Sequence, residues 1–307
     1  MRVRVLGSGA GGGFPQWNCN CENCRDLRSG FRPARPRTQS SIALSADSVR
    51  WYLINASPDI RQQIESFDGL HPNGAPRGTP IQAVLLTNAD IDHIVGLLSL
   101  REFQPLCLYS TKQVQDWVLE PNAVFRAIRL FPSQCTWKSV ITSGRHEIIG
   151  VDGKDSGLRY EAFAVPSKPP AYLMELVSDW SEETIGYKIT DAKSGRSLAY
   201  VPGIKQIDAD MAALLGGCDC VFFDGTFWSD NELIDLGIAQ KTALDIGHIP
   251  VSGAEGSLAK LANLRGVRKI YIHINNTNPM LIEDSSERRT AEEAGWEVAF
   301  DGMDLEV

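Results

Sequence analysis

The sequence predicts an α/β (α+β) chain in which two mixed β-sheets pack face to face with helices outside. Three observations lead there. Strand-like segments outnumber helical ones, they arrive in runs, and helices occur in both halves without strict strand–helix alternation. A doubly wound parallel sheet would need that alternation. The 307 residues contain no fixed-period repeat, low-complexity tract or Ser/Gly linker, so residues 1–307 read as a single domain.

Arg2–Leu6 alternates charged and apolar residues, as a half-buried strand does, and Ser41–Ser45 and Trp51–Asn55 are short strand-like runs bounded by turn formers. Ser57 and Pro58 are expected to open a helix, as cap and first-turn residue. Gln82–Thr87 is a continuous apolar run, expected as a strand buried on both faces. The polar segment 88–93 follows, then helical spacing over 94–100. In the second half, 159–165, 184–190 and 197–201 read as strands and 208–215 as a helix. Cys220–Phe223 is another buried strand ending at Asp224, and 269–274 is a strand that delivers His273. Ser252-Gly-Ala-Glu255 has the form of a capping box, which predicts a helix to about Leu264. A helix over 286–294, stopped by Gly295, and a strand over 296–300 close the chain. The connections 168–183 and 225–251 lack regular patterning, and such long loops are usually functional.

Net charge is −8, which argues against a broad nucleic-acid surface, and the basic cluster Arg32–Arg37 reads as an exposed, proline-stiffened arm. No apolar run approaches the ~20 residues of a membrane span, and none near the start has the form of a secretory signal. A cytoplasmic location is expected.

Four constellations can carry chemistry. Gly7-Ser-Gly9-Ala-Gly11-Gly12-Gly13 contains GxGxxG, but Pro15, Trp17 and three cysteines follow where a dinucleotide site needs a helix. These glycines are expected to let the backbone pass close to another loop. Cys19, Cys21 and Cys24 lie within six residues and can converge on one tetrahedral zinc of structural type. Cys107, Cys135, Cys218 and Cys220 are isolated and expected as small core residues. In Asn88-Ala-Asp90-Ile-Asp92-His93, two carboxylates and an imidazole crowd one loop, a costly repulsion unless a cation offsets it. The alternative is a helix start decorated with acids, with Asp92 as cap. Finally, Asp224, His248 and His273 each end a strand or a long loop and are candidates for a shared site, whereas His71 and His146 are expected at the surface.

Together these runs resemble the metallo-β-lactamase superfamily, an αββα sandwich with metals at one edge of its two sheets. The segment Thr87–Gly96 is similar to its THxHxDHxxG motif, and His273 matches its C-terminal strand-end histidine. Across the whole chain, the cysteine loop, Phe223-Asp224-Gly-Thr226-Phe-Trp228, Gly247-His248-Ile-Pro250 and His273-Ile-Asn-Asn276-Thr-Asn278-Pro279 resemble the branch concerned with pyrroloquinoline quinone (PQQ) biosynthesis. Departures from the hydrolases are as informative. Asn88 and Asp90 stand in place of the first two motif histidines, Ser167 in place of the third, and Pro202 in place of the bridging aspartate.

The resemblance leaves Asp90, Asp92, His93 and His273 as ligands of one active-site metal. Asp224 and His248 would be its proton-transfer or substrate-orienting pair. It implies a non-haem Fe(II) oxygenase that hydroxylates the tyrosine ring of a Glu–Tyr dipeptide or a later PQQ precursor. A non-catalytic carrier of PQQ or its precursor, and a single-metal hydrolase, are the alternatives. Asn276 stands where related phosphodiesterases have a histidine, so it is the expected fourth ligand of the cysteine zinc. His273 is the rival for that place.

Overall fold

The computed structural model describes residues 1–175 and 184–307, so part of the expected 168–183 connection lies outside the described residues. Among the described residues, fourteen strands form two seven-stranded sheets. The first holds β1 (Arg2–Gly7), β2 (Ser41–Ser45), β3 (Trp51–Ile54), β4 (Ile81–Leu85), β5 (Leu106–Ser110) and β6 (Cys135–Ser139). The second holds β7 (His146–Ile149), β8 (Asp155–Ala164), β9 (Ile185–Asp191), β10 (Ser197–Val201), β11 (Cys220–Asp224), β12 (Arg268–Ile272) and β13 (Trp296–Val298). The last strand, β14 (Asp304–Glu306), returns to pair antiparallel with β1. Each sheet is half antiparallel and half parallel: β3–β4–β5–β6 run parallel in one, β10–β11–β12–β13 in the other.

Period-two patterning decides which side chains enter the middle layer. Val3, Val5, Leu44, Tyr52 and Leu85 of the first sheet meet Tyr187, Leu198, Tyr200, Phe222 and Ile270 of the second in one buried cluster. The alternate residues pack outward under helices, Leu53 and Val84 on one side, Val221 and Phe223 on the other. Strands β2, β3, β10 and β11 are buried throughout. Their apolar continuity in the sequence reflects that double burial.

Several expectations shift. The helix expected at Ser57 begins at Ile60, because the Ser57 hydroxyl accepts from the Asp59 N–H and donates to Gln63 Oε1. The segment 94–100 is a 3-10 helix, Val95–Arg101, preceded by one α-turn, Ile91–Ile94. Gly96 is needed there: a Cβ would sit 2.2 Å from the Ser57 carbonyl oxygen. The capping box at Ser252–Glu255 does not form. Ser252 donates to the Trp228 carbonyl, and the helix is only Ser257–Lys260, capped by Gly256. The capping box is instead Thr242–Asp245, inside the connection 225–251, which also carries the short helix Glu232–Asp235. A helix Glu22–Ser29, the strands β5, β6, β7 and β14, and the helix Lys112–Leu119 have no counterpart in the sequence reading.

The basic segment 32–37 is not a free arm. Arg32 pairs with Asp284, Arg35 with Glu283, and Arg37 is buried, donating to Ser8 Oγ. The glycine run behaves as expected: Gly9 bridges to Gln39 and Ile274, and a Cβ at Gly13 would lie 2.9 Å from the Arg37 carbonyl oxygen. Cys107, Cys218 and Cys220 are buried and Cys135 half-buried. No helix among the described residues is long and apolar enough to cross a membrane.

Candidate metal centres

Functional side chains gather where the parallel strands end. β4 leads into Thr87–His93, β11 ends on Asp224, β12 delivers His273, and the turn after β10 carries Pro202–Ile204. His273 and Asn55 both adopt left-handed backbone conformations (φ 60° and 64°), strain tolerated when neighbouring bonds fix the residue.

Oxygen and nitrogen donors of Asp92, His93 and His273 all lie within 4.8 Å of one another. Asp92 Oδ2 is 3.2 Å from His273 Nε2 and 3.9 Å from His93 Nε2. Ligands bound at ~2.0–2.1 Å around a tetrahedral ion are about 3.3 Å apart, so these three donors are spaced for one metal.

The proton count points the same way. His93 Nδ1 donates to Asn88 Oδ1 at 2.6 Å, so neutral His93 carries its lone pair on Nε2. That Nε2 is buried and has no hydrogen-bond partner. Burial pushes the His93 pKa down to about 4, the pull of Asp92 notwithstanding, which keeps the ring neutral. Thr226 has one hydroxyl proton. It goes to Asp224 Oδ1 at 2.6 Å, since a carboxylate only accepts. His273 Nδ1, 2.9 Å from Thr226 Oγ1, then donates to it; a protonated ring also donates from Nε2 to the Asp92 carboxylate, whereas a neutral ring turns an Nε2 lone pair toward it. Two acceptors pointed at each other fit a cation between them. Asp92, His93 and His273 therefore fit a metal.

Of the four expected donors, Asp92, His93 and His273 group together and Asp90 stands apart. Its carboxylate accepts from Asn88 Nδ2 at 2.7 Å and falls outside the cluster. Burial, then the charge of Asp92, raises its pKa to about 7. Burial opposes ionisation of Asp92 as well; protonated His93 and His273 would hold that carboxyl below its usual range, and with both rings neutral a cation would take over that role. Asp92 caps no helix: Asp90 occupies the N-cap position and makes no side-chain cap bond.

His248 Nδ1 donates to Asp224 Oδ2 at 2.8 Å, and the His248 and His273 rings stack with centroids 5.4 Å apart. Asp224 is fully buried. It also accepts from the Ile204 and Thr226 N–H groups, so its oxygens are occupied in aiming His248 and Thr226. Gly203 lets the chain turn against the ring, since a Cβ there would lie 3.2 Å from His248 Cε1. Ser167 and Pro202 supply no nitrogen or carboxylate donor.

Cys19, Cys21 and Cys24 form the second cluster, at the start of the helix Glu22–Ser29. The Asn276 amide points at all three sulfurs, with Nδ2 at 3.1, 3.6 and 3.3 Å from Cys19, Cys21 and Cys24 Sγ. Sulfur and oxygen ligands of a tetrahedral zinc stand about 3.6 Å apart, and rotating the amide presents Oδ1 in the same place. The thiols titrate unevenly. Burial opposes the Cys19 thiolate, yet the Cys21 amide and thiol and Asn276 draw its pKa below the ordinary value. Burial pushes Cys21 up to about 12. His273 lies with the other cluster, which leaves the Asn276 amide as the group placed at a fourth corner beside the three sulfurs. His71 and His146 lie near the surface, away from both centres.

The sequence reading missed the residues that aim these ligands. Thr226 and Asn88 lay inside quoted runs, and their role follows only from the tautomers they impose. Thr87, whose Oγ1 lies 3.2 Å from His93 Nδ1 and accepts from Asn55 Nδ2, also lay inside a quoted run, whereas Asn55 and Asn23 gave no sequence signal.

Comparison with known proteins matches residues 50–274 to the beta-lactamase superfamily domain. "Coenzyme PQQ synthesis protein B" of Methylorubrum extorquens (strain PA1) is 44% identical over 311 residues, covering 100% of both chains. The protein of that name from Methylococcus capsulatus is 43% identical over 306 residues, covering 99% of each. The crystal structure of Zn(2+)-bound PqqB from Methylobacterium extorquens superposes with a TM-score of 0.92 at 43% identity, covering 100% of both chains. A diphosphatase of the PhnP family, 20% identical with a TM-score of 0.67, shares the fold. Full-length identity above 40% leaves one assignment: this chain belongs to the coenzyme PQQ synthesis protein B family of the beta-lactamase superfamily.

Proposed function

We propose that the chain works in coenzyme PQQ synthesis as a metal-dependent oxygenase that hydroxylates the tyrosine ring of a Glu–Tyr precursor, with O2 as oxidant, two electrons from an external reductant and the second oxygen atom leaving as water. The observation that carries this reading is the donor set. Two imidazoles and one carboxylate, His93, His273 and Asp92, gather at one point, and the resemblance to the superfamily implies that Asn88, Ser167 and Pro202 stand where its hydrolases carry ligands. Two histidines with one carboxylate is the ligand type of non-haem Fe(II) oxygenases, in which the metal supplies dioxygen activation at its open positions.

The chain's own groups do the rest. Asn88 and Thr226 fix the tautomers of His93 and His273. Asp224 holds His248 by Nδ1, so Nε2 is the nitrogen free to take a proton from the ring carbon being hydroxylated. Cys19, Cys21, Cys24 and Asn276 would hold a structural zinc, in keeping with the zinc-bound relative.

The test is anaerobic reconstitution with Fe(II), followed by O2, ascorbate and Glu–Tyr. A hydroxylated dipeptide, absent with His93→Ala, is expected. Bound iron with no product overturns the reading. Tight binding of finished PQQ without turnover would replace it with a carrier. Zinc-dependent phosphodiester cleavage lost in His93→Ala would replace it with a hydrolase.

A further inference from the structure

Arg37 carries a guanidinium into the interior without an ion partner. It is 4% exposed, and among the described residues no carboxylate oxygen lies within 4 Å of its nitrogens. Nearby arginines do have such a partner: Arg4 pairs with Asp304, Arg35 with Glu283 and Arg288 with Glu292. Nη1 of Arg37 donates to Ser8 Oγ at 3.0 Å and to the Ala299 carbonyl. Nε is buried with no hydrogen-bond partner. Among the described residues, the Nε–Nη2 edge, the fork that grips a carboxylate through two parallel bonds, therefore meets no acceptor.

The acids around it are engaged elsewhere. Asp301 Oδ1 accepts from the Ser8 N–H and hydroxyl, and Oδ2 from the Thr38 N–H and hydroxyl, at 2.6–2.9 Å. Asp59 Oδ2 accepts from the Gln39 N–H and Nε2. A buried charge is costly unless a hydrogen-bonded counter-ion meets it. Arg37 lines a polar cavity of about 550 Å³, together with Arg4, Thr38, Gln62, Asp59 and Asp301. Gly12 and Gly13 line it as well, and Arg37 and Phe14 exchange backbone bonds at 2.7 and 2.8 Å, which fastens the arginine to the glycine loop. One residue earlier the same loop touches the metal centre: a Cβ on Gly11 would lie 3.5 Å from Asp92 Oδ2.

We propose that the Nε–Nη2 edge of Arg37 binds the carboxylate of a small molecule in this cavity, at a site separate from the metal centre and joined to it by the glycine loop. The site does not depend on which reaction the metal centre performs. With Asp59 and Asp301 in its walls, the cavity suits one singly charged carboxylate better than a phosphate dianion. Binding there restrains the loop that abuts Asp92.

The experiment titrates the metal-loaded protein with butyrate, butyramide and phosphate, observed by ligand NMR. Butyrate is expected to bind at least tenfold tighter than butyramide and tighter than phosphate, and to slow amide exchange at Gly13 and Phe14. Arg37→Lys keeps the charge but removes the fork, and should weaken butyrate at least fivefold. Gln62→Glu, an exposed change on the cavity wall, sets a carboxylate beside the ligand and should weaken it three- to tenfold. It decides the matter should Arg37→Lys fail to fold. Asp92→Asn should leave butyrate affinity within twofold of wild type. No butyrate binding, or binding unchanged by Gln62→Glu and by a folded Arg37→Lys, overturns the site. Binding lost in Asp92→Asn places the carboxylate on the metal instead, and phosphate binding tighter than butyrate overturns the ligand class.

Discussion

His273 and Asn276 stand three residues apart on one loop and face different centres. His273 Nε2 is 3.2 Å from Asp92, whereas Asn276 Nδ2 is 3.1 Å from Cys19 Sγ. The loop between them is tied down on both sides. Asn23, from the cysteine helix, donates to the Asn276 and Asn278 carbonyls at 3.2 and 3.0 Å, and Asn278 Nδ2 donates to the Gly225 carbonyl. These bonds tie the cysteine helix to the segment that directly follows His273.

Asn23→Ala leaves two carbonyls without these donors, a loss of about 1–3 kcal/mol where no replacement forms. We expect a lower melting temperature and faster loss of metal from both centres to a chelator. Destabilisation with unchanged metal retention would show that Asn23 supports the fold without supporting His273.

Cys21→Ser should remove one zinc per chain and lower the melting temperature together, because a structural site contributes directly to folding. Metal analysis beside a melting curve reads both. Zinc lost with melting unchanged would contradict a structural role.

Much of this was legible in the sequence. The doubly buried strands β2, β3, β4, β10 and β11 announce themselves as short apolar runs between turn formers, and the cysteine loop by spacing. The half-exposed strand β6 carries no such run, which is why it went unread. Residue types near Asp90 pointed to a metal, but the exact donors depend on rotamers: the Asn88 amide that holds Asp90 is two residues away and could not be oriented from spacing. The basic arm was misjudged because its partners, Asp284 and Glu283, lie about 250 residues on.

Glu232 gives a pH-dependent prediction. Burial raises its pKa from 4.5 to about 7, against hydrogen bonds from Thr277 Oγ1 and the Trp228 N–H. Between those values the folded chain keeps a proton that the unfolded chain has lost, so stability falls as pH rises. The contribution is fully present below pH 4.5 and gone above about 7, amounting to roughly 3 kcal/mol at most. Glu232→Gln can accept from Trp228 and donate to Thr277 without a charge. Denaturant midpoints at pH 5 and pH 8 should match wild type at the first and exceed it at the second. An unchanged difference between the two pH values in Glu232→Gln would place the titration elsewhere.

The acidic loop separates its two carboxylates by role. Asp92 faces His93 and His273, so Asp92→Asn removes the anionic donor and should empty that centre while the cysteine zinc stays. Asp90 is held by Asn88 and lies outside the donor cluster, so Asp90→Asn should keep both metals. It also removes the repulsion between two half-buried carboxylates, which predicts that metal-free Asp90→Asn melts no lower than metal-free wild type at pH 7. Melting curves with and without chelator, alongside metal per chain, distinguish the cases. A chelator should lower the melting temperature of wild type and Asp90→Asn by similar amounts, and that of Asp92→Asn by less. If Asp90→Asn loses the non-cysteine metal, its carboxylate swings away from Asn88 to bind, and the donor set is four.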